Sequence, residues 1–190
     1  MSFELVVIGT SLGGLSALQT ILGNLPADFF VPIAIVQHRH KNSGGTLREL
    51  LQEHSLLPIK EVEDKDEVLP GKVYLAPADY HILIEAGYFA LSTDEPVSYA
   101  RPSIDVLFES ASDIYAEQVI GVILTGANED GAQGLKKIKA RGGMAIVQEP
   151  TTAECSVMPA AAISAVKVDG ILQLSEIAQL LVTLCQKNKC

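Results

Sequence analysis

Five short apolar runs punctuate the chain, and each breaks off at a small or polar residue. Leu5-Val6-Val7-Ile8 gives way to Gly9-Thr10-Ser11, Pro32-Ile33-Ala34-Ile35-Val36 to Gln37-His38, and Lys72-Val73-Tyr74-Leu75-Ala76 to Pro77. Val119-Ile120-Gly121-Val122-Ile123-Leu124 runs into Thr125-Gly126, and Met144-Ala145-Ile146-Val147 into Gln148. Continuous β-branched runs of this length, with no polar alternation, suit strands covered on both faces. Between them the apolar spacing becomes helical. It predicts helices over 15–22, closed by Asn24 and Pro26, over 46–52, and over 104–115 with Ser103 as N-cap. Further helices are predicted over 132–140, stopped by Arg141-Gly142-Gly143, over 160–165, and over 175–187 with Ser175 as cap.

Strand and helix alternate almost throughout, which predicts an α/β fold: a three-layer α/β/α sandwich around a doubly wound, mostly parallel sheet. One stretch breaks the rhythm. His81 to Leu91 reads as two short strands about a turn near Gly87, a small antiparallel hairpin. The charged segment Glu61 to Glu67 reads as a solvated connection. With no internal repeat, low-complexity tract or long linker, residues 1–190 are expected to form one domain.

Bulk composition narrows the function classes. A chain of 190 residues buries roughly two-thirds of the surface it exposes when unfolded, so it needs no staples. The net charge of -9 repels phosphate backbones, which argues against nucleic-acid partners and against anionic membrane surfaces. Three cysteines (Cys155, Cys185, Cys190) without a CxxC or a Cys/His cluster fit reduced thiols in a cytoplasmic protein. The opening MSFELVVIG reads as a first strand rather than a signal peptide, and no run nears the ~20 apolar residues of a membrane span. The sequence offers no metal-ligand cluster and implies no cofactor.

In open α/β sheets ligands bind beyond the carboxyl ends of the strands. Those positions hold Ser11, His38 and, a few residues past its strand, Asp130. A hydroxyl, a base and an orienting carboxylate are what a nucleophilic acyl transfer requires. Ser11 sits in Gly9-Thr10-Ser11-Leu12-Gly13-Gly14, where a helix starting at Gly13 aims free N–H groups at a developing oxyanion. A phosphate-binding turn is the rival reading. Its spacing matches neither G-x-G-x-x-G nor the P-loop, and the second strand ends in Gln37-His38 where a dinucleotide site would place an acid. His40 competes with His38, but His38 follows its strand directly; His54 and His81 read as surface or packing residues. Asp130 serves equally well as N-cap of the helix after it, and Glu129 is its neighbour and rival.

At these residues the chain resembles the catalytic domain of the CheB-type protein-glutamate methylesterases of bacterial chemotaxis. The resemblance rests on Ile8-Gly9-Thr10-Ser11-Leu12-Gly13-Gly14, Val36-Gln37-His38, Leu69-Pro70-Gly71, Tyr74-Leu75-Ala76-Pro77 and Asp79-Tyr80-His81. It continues through Arg101-Pro102-Ser103-Ile104-Asp105-Val106-Leu107-Phe108, Gly121 to Gly126 with Asp130-Gly131-Ala132, and Met158-Pro159 with Ala161-Ala162-Ile163. It implies Ser11 as nucleophile, His38 as general base and then acid, and Asp130 as the orienting carboxylate. The implied reaction is hydrolysis of glutamate γ-methyl esters on methyl-accepting chemotaxis receptors, releasing methanol, with deamidation of receptor glutamines through the same acyl-enzyme. Ala127-Asn128 and Leu12 depart from residues frequent in the family. Many members carry an N-terminal receiver domain, whereas this chain begins almost at the first catalytic strand. The expectation is a stand-alone esterase, one activated by a separate receiver protein, or an excised piece. A non-catalytic receptor- or partner-binding module of the same fold is the alternative function, and nucleotide binding a third. Arg101 reads as an orienter of an acidic substrate helix or as a surface ion pair, and Cys155 as an incidental thiol near the site.

Overall fold

The five apolar runs become the middle of one seven-stranded sheet. The structure, a computed structural model, describes residues 2–39 and 46–185. In chain order its strands are β1 (Leu5–Thr10), β2 (Ile33–Gln37), β3 (Ile59–Glu61), β4 (Val73–Leu75), β5 (His81–Ile84), β6 (Phe89–Ser92), β7 (Val119–Ile123), β8 (Met144–Gln148) and β9 (Gly170–Leu172). The helices are α1 (Gly14–Gly23), α2 (Thr46–Gln52), α3 (Ile104–Tyr115), α4 (Ala132–Ala140), α5 (Val157–Ala165) and α6 (Leu174–Cys185). The large sheet runs β3-β4-β2-β1-β7-β8-β9 with every pairing parallel, and β5 and β6 form the separate antiparallel hairpin.

Successive residues of each central strand point to opposite faces, so an unbroken apolar run supplies two cores at once. Val6, Ile8, Ile33, Ile35, Ile120 and Val122 pack with α1 and α6 residues such as Leu18, Leu22, Ile177 and Leu181. Leu5, Val7, Val36, Ile123 and Val147 face the other way, against Ile104 and Phe108 of α3, Leu135 and Ile138 of α4, and Ile82 and Phe89 of the hairpin. Three layers result. Strand order reverses beside β1, whose neighbours are β2 and β7, and this brings the carboxyl ends of those three strands side by side.

Two strands are added and three expectations need correction. Ile59–Glu61 and Gly170–Leu172 are edge strands, too short to show a period, and Glu61 therefore belongs to the sheet rather than to a solvated connection. Helix α5 starts at Val157, three residues before Ala160. Pro159 falls in its first turn, where a missing N–H costs nothing because that N–H has no intrahelical partner. Ser175 does not cap α6; the helix begins at Leu174, and Glu176 reaches back to the Gln173 N–H at 2.9 Å, one half of a capping box. The predicted stops hold: Asn24 caps α1, and Gly142 follows α4 in the left-handed region at φ +89°. No helix among the described residues is long and apolar enough to cross a membrane.

Candidate active site

The turn after β1 is held from three directions. The Ser11 N–H donates to Thr125 O at 3.0 Å, while Ser11 O accepts from the Gly14 N–H at 2.9 Å and from Gln37 Nε2 at 2.8 Å. Thr125 Oγ1 donates to Leu12 O at 2.8 Å, and Thr10 Oγ1 donates to Thr125 O at 2.7 Å. The glycines leave room for this crowding. Gly13 is left-handed (φ +80°) as the residue before α1, and a Cβ on Gly14 would collide with Gln37 Oε1. The Leu12 and Gly13 N–H groups donate to no protein acceptor among the described residues, and they lie at the positive end of α1. With Ser11 and His38 they line a cleft of about 1000 Å³.

His38 follows β2 directly, and its own N–H donates to Thr10 O at 3.0 Å. Its Nε2 lies 2.7 Å from Asp130 Oδ2, with the imidazole 12% exposed and the carboxylate fully buried. An ionised carboxylate only accepts, so Nε2 carries the proton and Nδ1 keeps the lone pair. Asn128 Nδ2 donates to that Nδ1 at 3.2 Å, and Asn128 Oδ1 accepts the Asp130 N–H at 3.1 Å.

Asp130 is a cap, but of a different helix from the one expected. Gly131 precedes α4, with no side-chain cap. The Asp130 carboxylate instead closes the N-terminus of α3: Oδ2 accepts from the Ile104 N–H at 2.7 Å, and Oδ1 from the Asp105 N–H at 3.0 Å and from Ser103 Oγ at 2.9 Å. Burial alone would raise its pKa. The bond to His38 and those from Asp105 and Ile104 outweigh burial and hold it below the usual carboxylate range. Ser103 caps α3 as expected, and its hydroxyl also serves the acid.

Asp105 sits beside this group and accepts the Gly134 N–H at 2.7 Å. Burial, with Asp130's charge adding to it, lifts its pKa to about 6. A carboxyl that holds its proton more tightly folded than unfolded stabilises the fold when protonated, and that contribution is lost as pH rises through about 4 to 6. Wild type is therefore expected to lose about 2–3 kcal/mol relative to Asp105→Asn between about pH 4 and pH 7. Denaturant melts of both proteins across that range check it; parallel curves would refute the assignment.

The remaining candidates separate cleanly. Glu129 is exposed, so the rivalry within the loop goes to Asp130. His54 is exposed, with Nδ1 3.2 Å from Leu50 O. His81 is buried rather than superficial; its Nδ1 accepts the Ser103 N–H at 3.1 Å and its Nε2 donates to Glu95 O. His40 and Cys190 lie outside the described residues. Arg101 lines the cleft, but its nitrogens bind Asp79 Oδ1, Thr93 O and Asp94 O, which favours the ion-pair reading over the substrate-orienting one. Cys155 is half-buried, and its backbone binds Thr125 and Gly126. Sequence reading overlooked the roles of Thr10, Thr125 and Gln37, whose only local signal was a polar residue at a strand end; Asn128 stood out as a departure from the family, but its contact with His38 did not.

A family model described as CheB methylesterase matches residues 6–181. A relative from Leptospira interrogans is 52% identical over 189 residues, which is 99% of this chain and 98% of its own. A protein from Carboxydothermus hydrogenoformans named protein-glutamate methylesterase/protein-glutamine glutaminase 1 is 42% identical over 182 residues, 93% of this chain and 54% of its own, so the chain spans about half of that relative. The crystal structure of the Thermotoga maritima CheB methylesterase catalytic domain superposes with a TM-score of 0.93 at 37% identity, covering 97% of this chain and all of that one.

Proposed function

The chain belongs to the CheB methylesterase family, and from that membership we propose that it is a serine hydrolase that removes γ-methyl esters from glutamates of chemoreceptors. The observation that carries the reading is the His38–Asp130 pair, 92 residues apart in sequence, beside the Ser11 turn and its unengaged N–H groups.

In this mechanism Ser11 Oγ attacks the ester carbonyl while His38 Nδ1 takes its proton, and the Nε2–H···Asp130 bond steadies the imidazolium that forms. The negative oxygen of the tetrahedral intermediate falls to the Leu12 and Gly13 N–H groups at the head of α1. His38 then returns the proton to the departing methoxide. Methanol leaves, and water attacks the acyl-enzyme by the same relay to give glutamate and free Ser11. A receptor glutamine follows the same course with ammonia as the leaving group.

The test pairs methanol release from methylated receptor with mass-spectrometric location of a fluorophosphonate adduct. Methanol release and an adduct on Ser11 are expected. An adduct on Ser11 without methanol would mean a serine esterase with another substrate. Neither signal would leave a non-catalytic binding module.

A further inference from the structure

We propose that Asn128 is a latch on the general base: its amide occupies the His38 lone pair in the resting enzyme and must leave before Ser11 can be deprotonated. The inference deepens the hydrolase reading and rests on it. A neutral imidazole has one donor and one acceptor nitrogen. Asp130 claims the donor at 2.7 Å, and Asn128 Nδ2 claims the acceptor at 3.2 Å. The nitrogen that has to take the serine proton therefore already faces another donor.

The amide cannot simply turn over. Its Oδ1 is held by the Asp130 N–H at 3.1 Å, in a tight turn that closes two residues on at the buried acid itself. Rotating the amide would present its oxygen to His38 at the expense of that bond. As Nδ1 gains a proton, Nδ2 and Nδ1 become two donors pointed at each other, so the contact opposes the step that activates Ser11. Release therefore requires the side chain to swing into the cleft, which Asn128 lines. An ester bound there offers carbonyl oxygens as new acceptors for the freed amide, so the base is unlatched when substrate arrives. Resting Ser11 is kept a poor nucleophile toward other acyl donors.

Asn128→Ser separates the two bonds. A serine hydroxyl can still accept the Asp130 N–H across the same turn but is too short to reach His38. The variant is expected to form the Ser11–fluorophosphonate adduct about two- to tenfold faster than wild type, the range of one neutral hydrogen bond. The His38 Nδ1 resonance in ¹⁵N spectra should move toward that of a free lone pair. Asn128→Ala serves as the second variant, and thermal melts certify that both are folded. Adduct formation at Ser11 no faster than wild type in folded variants would overturn the latch and leave the serine hydrolase standing. Absence of any Ser11 adduct, wild type included, would overturn both.

Discussion

Ser11→Ala is expected to lower methanol release by about 10⁴- to 10⁶-fold in kcat, because the parts of a triad act as a unit and the remaining groups have no nucleophile to serve. That loss corresponds to roughly 5–8 kcal/mol of transition-state stabilisation. The fold should be untouched. Ser11 holds the turn through its backbone, by its N–H to Thr125 and its carbonyl to Gly14 and Gln37, and the alanine keeps all three bonds. Stability by denaturant melt should therefore stay within about 0.5 kcal/mol of wild type. The combination is diagnostic: a folded protein that has lost the chemistry. Methanol release within tenfold of wild type would assign the nucleophile elsewhere, and Cys155, which packs on Thr125 beside the turn, would be the next residue to block.

Asp130 carries two burdens, and its substitution should show both. Each carboxylate oxygen accepts from two donors: Oδ2 from His38 and the Ile104 N–H, Oδ1 from Ser103 Oγ and the Asp105 N–H. Asp130→Ala strands four donors in a fully buried place, with an expected cost of about 3–5 kcal/mol in unfolding free energy. Asp130→Asn is scarcely kinder. Whichever way its amide is turned, the NH₂ faces a backbone N–H that cannot accept, Ile104 on one side or Asp105 on the other, so at least one of the four bonds is lost. If the NH₂ meets His38, the ring must take its proton on Nδ1, and Nδ1 can no longer accept from Ser11. Activity should fall about 10⁴-fold in either variant. A helix cap alone would predict the stability loss without the kinetic one, so kcat measured well below the melting temperature decides between the roles. An Asp130→Asn protein with near-normal turnover would reduce this carboxylate to a cap.

Both predictions rest on residues that differ in how visible they were from the sequence. Ser11 and His38 stand within three residues of the end of an apolar run, and in a parallel sheet such runs end at the ligand-binding edge. Asp130 was visible as a helix-capping residue of the right type, and the natural assumption was the helix beginning two residues later. The structure gives it α3 instead, 26 residues upstream, because β7 carries the loop to the point where α3 starts. His81 shows the same limit. Its burial against Ser103 comes from the hairpin folding over α3, which no local pattern records.

What the amino-acid sequence determined by itself is what short windows encode: the apolar runs, the helical spacings between them, the glycine turns, the Ser103 cap and the acyl-transfer residue types at the strand ends. These depend on unbroken apolar runs, on a period of 3.6 residues and on caps a few residues long, so they are legible without knowing the fold. Tertiary structure alone decided which strands lie at the edges, which helix Asp130 closes, which nitrogen of His38 faces the acid, and that Asn128 stands at the other one. Those are contacts between segments up to 92 residues apart, set by how the parallel sheet stacks its strand ends. The Ser11 turn was legible as a nucleophile's setting; the state of the base that serves it was written only in the packing.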